Sequence, residues 1–178
     1  MRRQNYFLLI ALTLVGLMTP WSPYGGLPLA EAAQRAPIQL ELPPTALTDL
    51  QGLSQPLDQW RGKVVIINFW ATWCPPCRRE IPEFIALQQE LGPKGVQFVG
   101  IAIDAAQPVQ RYAERQGINY PTLLGEERGM ELSMQLGNWG AVLPYSVIFN
   151  RQGALVHYRT GAISRSQLRA PLKIVIFL

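Results

Sequence analysis

The stretch Lys63-Val64-Val65-Ile66-Ile67-Asn68-Phe69-Trp70-Ala71-Thr72-Trp73-Cys74-Pro75-Pro76-Cys77 decides how this chain folds. Its first half, 63–70, is a nearly continuous β-branched and aromatic run, the pattern of a strand buried on both faces. Its second half carries the chain into a helix predicted over 75–91 and stopped by Gly92-Pro93. Cys74 therefore falls between a buried strand and a helix N-terminus. Unpaired backbone N–H groups and the positive end of the helix dipole face its sulfur there, which favours thiolate over the free thiol pKa of about 8.5. Cys77, one turn into the helix, is shielded and close enough to attack a mixed disulfide formed on Cys74. One exposed nucleophile and one resolving thiol complete a dithiol exchange cycle.

The two prolines between the cysteines modulate this chemistry. Pro75 suits the first helical position, where its missing N–H costs nothing. Pro76 removes a donor that could otherwise point at the Cys74 sulfur, which implies a less stabilised thiolate and a more reducing couple. Cysteine usage agrees with a chemical role. Cys74 and Cys77 are the only two cysteines, and a bridge closing so short a loop removes little unfolded-chain entropy. Structural zinc needs four ligands, and beyond this pair the chain offers only His157, which reads as a surface or packing residue of a strand.

Outward from this centre the pattern alternates. On the N-terminal side, 45–50 and 53–57 form two short strands around Gln51-Gly52, then one helical turn ends near Trp60. On the C-terminal side come a buried strand over 96–103, a helix over 108–116 closed by Gly117, an extended piece at 120–124 and a helix over 126–136 closed by Gly137. Strands at 144–149 and 154–160 flank the turn Asn150-Arg151-Gln152-Gly153 as a hairpin, and a last helix begins near Ser164. Strand–helix alternation followed by a hairpin and helix predicts an α/β fold of three layers, a mixed central sheet with helices on both faces. The closing residues 174–178 are unusually apolar for a free terminus.

The chain has 178 residues, 48% hydrophobic and 16% charged, with a formal net charge of +4. That is room for one domain with a real core and an additional N-terminal segment. The basic residues are scattered, with Arg78-Arg79 the only adjacent pair past the N-terminal segment, so nucleic acid is not an expected partner. Arg2 and Arg3, the apolar run 7–18, and small residues at Ala30-Glu31-Ala32 form an export signal. The run is shorter than the roughly 20 residues a spanning helix needs. Extending it to Trp21 gives a marginal span, so residues 1–32 read as a signal peptide or an N-terminal membrane anchor. An Ala- and Pro-rich linker at 33–44 follows, and the domain occupies 45–178. Export places the protein in the periplasm or on the extracytoplasmic face of the membrane.

The segment from Asn68 to Cys77 resembles the active site of the thioredoxin superfamily, and is most similar to the TlpA/ResA group of exported, membrane-tethered reductases, which includes the CcmG-type cytochrome c maturation proteins. Pro82 stands where that family's active-site helix carries a kinking proline. Leu143-Pro144-Tyr145-Ser146 resembles its cis-proline loop, and Thr160-Gly161-Ala162-Ile163-Ser164 the approach to its final helix. The segment 105–138 is similar to the extra strand and helix of the TlpA/ResA group. The resemblance covers roughly 45–170, and implies a thioredoxin-like fold with an N-terminal β-hairpin and a central insertion.

It also implies roles. Cys74 would attack and Cys77 resolve, with the Cys74–Cys77 disulfide as the redox centre and no other cofactor. Pro144 would be cis and face the disulfide, the backbone of Leu143 would pair with an extended substrate segment, and Trp73, Pro75 and Pro76 would contact substrate. Trp70 would either wall the site or belong to the core. Thioredoxin carries a buried aspartate where this chain has Asn68, and an amide cannot take up or donate the exchange proton. Glu80, one turn beyond Cys77, is the natural replacement, its pKa raised by burial for acid–base work. The family's partners would be exported proteins bearing disulfides, plausibly apocytochrome c before haem attachment, and a membrane electron donor. Competing functions are a disulfide oxidase or isomerase and, from another class, a copper-handling module using Cys74, Cys77 and His157. A peroxidase lacks its threonine-and-cysteine arrangement.

Overall fold

The structure, a computed structural model, describes residues 40–177. The expected signal peptide or anchor and linker residues 33–39 lie outside them, as do the side chains of 173–178. Among the described residues no helix is long and apolar enough to cross a membrane.

Seven strands form one sheet: β1 (Ala46–Asp49), β2 (Ser54–Pro56), β3 (Val64–Trp70), β4 (Val96–Ala102), β5 (Thr122–Leu124), β6 (Tyr145–Phe149) and β7 (Leu155–Thr160). The described helices are α1 (Pro75–Leu91), α2 (Ala106–Gln116), α3 (Glu126–Gln135) and α4 (Arg165–Phe177). The strand order is β2-β1-β5-β4-β3-β6-β7, with β3, β4 and β5 parallel and the remaining pairs antiparallel. The sheet is therefore mixed, as the alternation predicted. The segment 105–138 folds as α2, β5 and α3, and β5 enters the sheet between β4 and the N-terminal hairpin.

β3 runs through the middle with all seven residues buried, because it pairs on both edges and is packed on both faces. Successive side chains of a strand point to opposite faces, and the packing follows that alternation. Val65, Ile67 and Phe69 join Leu132 of α3 and Leu136, which caps that helix, in one core. Val64 and Ile66 join Phe84 and Leu87 of α1 and Leu168 and Leu172 of α4 on the other. Each such fully buried aliphatic or aromatic side chain contributes about 1.5–3 kcal/mol. A third apolar cluster, at the C-terminal end of β3, holds Trp70, Ala71, Cys74, Cys77, Ile81 and Tyr112. Trp70 is thus core, packed on Tyr112 with ring centroids 5.4 Å apart.

Helix α1 ends at Leu91, where the sequence reading stopped it, with Gly92 right-handed at φ −51°. The chain then adds a 3-10 turn, Gly92–Lys94, closed by Gly95 at φ 85°, where a positive φ is needed. One boundary differs from the sequence reading. Within the segment read as linker, Leu42 is buried in the core and Glu41 bridges Ala154, with Leu42 N–H donating to Gly153 O at 2.7 Å. Ile38, Leu40 and Leu42 alternate with Gln39 and Glu41, a period-2 signal that the linker reading passed over.

Candidate active site

The active centre forms where β3 ends and α1 begins. Cys74 is the N-cap of α1 in extended conformation, with Pro75 and Pro76 as the first helical residues. Cys74 and Cys77 are joined in a disulfide, and both are buried: Cys74, expected to be exposed, is covered because it packs in the cluster with Trp70, Ala71 and Ile81. The Cys77 backbone N–H donates to Cys74 Sγ at 3.3 Å. Because neither proline carries an N–H, this is the first backbone donor of the helix that can reach the sulfur. The approach to the motif is braced from β4: Asp104 Oδ2 accepts from the Thr72 N–H at 3.1 Å and from the Thr72 hydroxyl. Asp104 was not singled out in the sequence, since its partner lies 32 positions away.

Glu80 sits one turn past Cys77 on the buried side of α1 and is only 3% exposed. Its Oε1 accepts from Asn68 Nδ2 at 2.8 Å and its Oε2 from the Ile163 N–H at 2.9 Å. No cation is hydrogen-bonded to it or within ion-pair distance among the described residues. Removal from water pushes its pKa up from the usual 4.5 to about 7, against the smaller opposing effect of its two N–H donors. The carboxyl therefore changes protonation near neutral pH.

Asn68, in the place of thioredoxin's aspartate, is not idle. Its Nδ2 holds Glu80 and also donates to Ser146 Oγ at 3.0 Å, across the β3–β6 pairing in which the two residues are directly opposite. The sequence could not show this, because the three residues come from three separate elements.

The loop before β6 faces the same end of the sheet. Leu143–Pro144 is a cis peptide, and Leu143 packs against the cluster that contains both cysteines. The Pro144 carbonyl is used by the Gly161 N–H at 2.8 Å, whereas the Leu143 N–H and C=O have no protein partner among the described residues. Asn138 shapes this loop: its side chain donates to Val142 O at 2.9 Å and accepts from the Val142 N–H at 3.1 Å. The loop carries Trp139, 87% exposed, and Val142, and within the motif Trp73 is 65% exposed. Trp139 was missed by the sequence reading; its signal was an aromatic residue in a Gly- and Asn-containing turn just before the cis-proline segment.

His157 lies on the edge strand β7, in register with Ile148. Among the described residues no cluster of three His, Cys, Asp or Glu side chains that could hold a metal forms.

A disulfide at a helix N-terminus, its second cysteine one turn in, a buried carboxyl beyond it and a cis-proline loop alongside define a thioredoxin-fold thiol–disulfide oxidoreductase. The chain belongs to the Redoxin family, whose pattern matches residues 35–172, and within the thioredoxin superfamily it is of the ResA type. It is 33% identical over 132 residues to the thiol-disulfide oxidoreductase ResA of Halalkalibacterium halodurans, covering 72% of each chain. The ResA of Geobacillus kaustophilus is 30% identical over 134 residues, covering 74% of each. Among solved structures, a thiol:disulfide interchange protein of the thioredoxin family from Chlorobium tepidum superposes with a TM-score of 0.70 at 27% identity, covering 79% of this chain and 99% of that one. A secreted thiol-disulfide isomerase from Corynebacterium glutamicum shares the fold, with a TM-score of 0.70 at 19% identity, covering 82% of this chain and 95% of that one.

Proposed function

We propose that this oxidoreductase reduces disulfides in exported proteins, apocytochrome c before haem attachment among them, with Cys74 attacking, Cys77 resolving and Glu80 carrying the proton. The observation that carries the reducing direction is the pair of prolines at the helix start. They leave the Cys77 N–H as the donor on Cys74 Sγ, so the Cys74 thiolate is less stabilised and the dithiol gives up electrons more readily.

The cycle balances as follows. The Cys74 thiolate attacks one sulfur of a substrate disulfide, and the other substrate sulfur leaves as a thiolate that takes a proton from water. The Glu80 carboxylate takes the proton of the Cys77 thiol. The resulting Cys77 thiolate attacks Cys74 Sγ, the Cys74–Cys77 bond forms, and the second substrate sulfur is released. Two electrons have passed to the substrate, and an external dithiol must restore them. A membrane electron donor fills that role, and the N-terminal segment 1–32 exports the domain or holds it at the extracytoplasmic face. Burial of Glu80 supports its part, since a carboxyl poised near pH 7 can both accept and return a proton.

Substrate recognition falls to the free backbone groups of Leu143 beside Pro144, which suit an extended segment laid along the loop. Trp73, Pro75 and Pro76 of the motif, with the exposed Trp139 and Val142 of the loop, would give that segment apolar contacts. The test is the reduction potential of the Cys74–Cys77 couple, by equilibration against dithiothreitol or glutathione buffers. A value toward that of thioredoxin, about −270 mV, agrees with a reductase. One toward that of DsbA, about −120 mV, makes the protein an oxidase.

A further inference from the structure

We infer that Asn68 is a positioning residue for Glu80, and that its side-chain amide reverses whenever the Glu80 carboxyl gains or loses its proton. The inference rests on Glu80 being the proton-carrying group proposed above, and it starts from an unpaired atom. Asn68 is 2% exposed, and while its Nδ2 makes two hydrogen bonds, its Oδ1 is buried with no partner. A buried acceptor left unpaired costs about 1–3 kcal/mol. In a network this small, that atom needs a reason.

The observed bonds suit the charged carboxylate. Each Glu80 oxygen accepts one N–H, from Asn68 and from Ile163. Protonation creates a donor where both neighbours already donate. The Ile163 N–H belongs to the backbone and can only donate, so the new O–H belongs on Oε1, facing Asn68. There it meets another N–H unless the amide turns over. A half-turn about the terminal torsion of an asparagine exchanges oxygen and nitrogen at nearly the same positions. Oδ1 then accepts from the Glu80 Oε1–H. It also accepts from the Ser146 hydroxyl, which rotates from acceptor to donor. On reversal the amide N–H groups take the buried site that Oδ1 held, without a partner there, while the network keeps three hydrogen bonds in either state. In the charged state they are Asn68 to Glu80, Asn68 to Ser146 and Ile163 to Glu80; in the protonated state the first two reverse direction and the third is unchanged.

Neither an acidic nor an apolar side chain does this. An aspartate at position 68 would set a second carboxyl against Glu80, so the two would compete for one proton. A leucine would leave both Glu80 Oε1 and Ser146 without a partner. The other groups that face Glu80 do not titrate with it. Tyr120 is held protonated by burial and, to a smaller extent, by the nearby Glu80 charge. Cys77 is in the disulfide. Asn68 thus holds the carboxyl in one place through the proton cycle, so that neither state is left facing an unmatched partner.

The test is a nuclear magnetic resonance titration of the oxidised full-length protein with labelled Glu and Asn side chains, in wild type and in Glu80→Gln. The Glu80 carboxyl carbon reports its protonation, and cross-relaxation between the Asn68 NH2 protons and the Ser146 β-protons reports the amide orientation. At pH 9 that cross-peak is expected to be present. It is expected to be lost by pH 5 with the same midpoint as the Glu80 carbon, and to be absent at both pH values in Glu80→Gln, whose amide N–H replaces the acid O–H. A cross-peak unchanged from pH 9 to pH 5 overturns the inference, even if Glu80→Gln exchanges thiols slowly and the role of Glu80 stands. Conversely, a reversal at the Glu80 midpoint together with undiminished exchange in Glu80→Gln sustains the inference and removes the catalytic role from Glu80.

Discussion

Two of the three carboxylates of helix α1, near its opposite ends, have opposite fates. Glu90, in the last turn, is partly exposed and paired with Arg165 and Arg169 of α4. Its hydrogen bond to Arg165 leads the effects that hold its pKa below the usual carboxylate value, with Arg169 and Lys94 adding to it. Glu80, in the second turn, is buried with two neutral N–H donors and no cation, and its pKa is pushed up to about 7. Residue type and helix are the same. What differs is access to water and the charge of the partners. A carboxylate paired with guanidinium groups at a surface is fixed in one charge state and can only tie elements together. One that is buried among neutral donors is left near its titration point, where a proton can be moved.

The comparison can be broken or sharpened at several points. The largest effect is expected at the cysteines: Cys74→Ser should abolish disulfide exchange, whereas Cys77→Ser should stop after one attack and accumulate a mixed disulfide with substrate, visible on non-reducing gels. Next, Glu80→Gln should slow resolution of the mixed disulfide by about 10²–10⁴-fold. Stopped-flow kinetics from pH 5 to 9 should show that the limb centred near 7 is gone from its pH profile.

The same variant should be more stable, not less. Glu80 has a folded pKa above its unfolded one, so the native state holds the proton more tightly. Its contribution is complete below the unfolded value of about 4.5 and is lost as pH rises through about 7, a loss of about 3 kcal/mol. Urea unfolding at pH 8 should therefore show Glu80→Gln stabilised by about that amount, with the difference vanishing near pH 4. A smaller effect is expected at the substrate rim. Trp139→Ala should raise KM for a protein disulfide by on the order of tenfold while lowering kcat less, because it removes apolar contact and leaves the sulfurs in place. The smallest belongs to Glu90→Gln. Its folded pKa is lowered, so its contribution is present above the unfolded carboxylate value and lost as pH falls through the folded one. Thermal melts should show a slight destabilisation at pH 7 that salt erases, as for other exposed ion pairs.

The two ends of α1 were unequally legible in the sequence. The strand-to-helix junction was readable because its signals are local: a β-branched run for β3, a proline pair for the helix start, two cysteines one turn apart. The N-terminal hairpin was readable for the same reason, and the structure adds its fastening, with Asp49 Oδ1 accepting from the N–H groups of Gln51 and Leu53. The burial of Glu80 could be anticipated from its spacing to Cys77 and from the family resemblance. Its partners could not. Asn68 is 12 positions away, Ile163 is 83, and Ser146 is 78 from Asn68, so only the pairing of β3 with β6 and the approach to α4 bring them together. Asn68 read as a lost proton carrier because its identity was visible and its neighbours were not. Trp139 marks the same limit, an aromatic side chain whose exposure is decided by tertiary packing, whereas the buried Leu42 closes an alternating run, 38–42, that was there to be read.

The central claim is that one helix holds a carboxyl poised for proton transfer and another locked in charge. It is tested most directly by following the carboxyl carbons of Glu80 and Glu90 in one glutamate-labelled sample of the oxidised protein from pH 2 to 10. The account predicts a Glu80 midpoint near 7 and a Glu90 midpoint below the usual carboxylate value. A Glu80 carbon that titrates at the ordinary 4.5 or below would contradict it, and with it the proton path from Cys77 through this side chain.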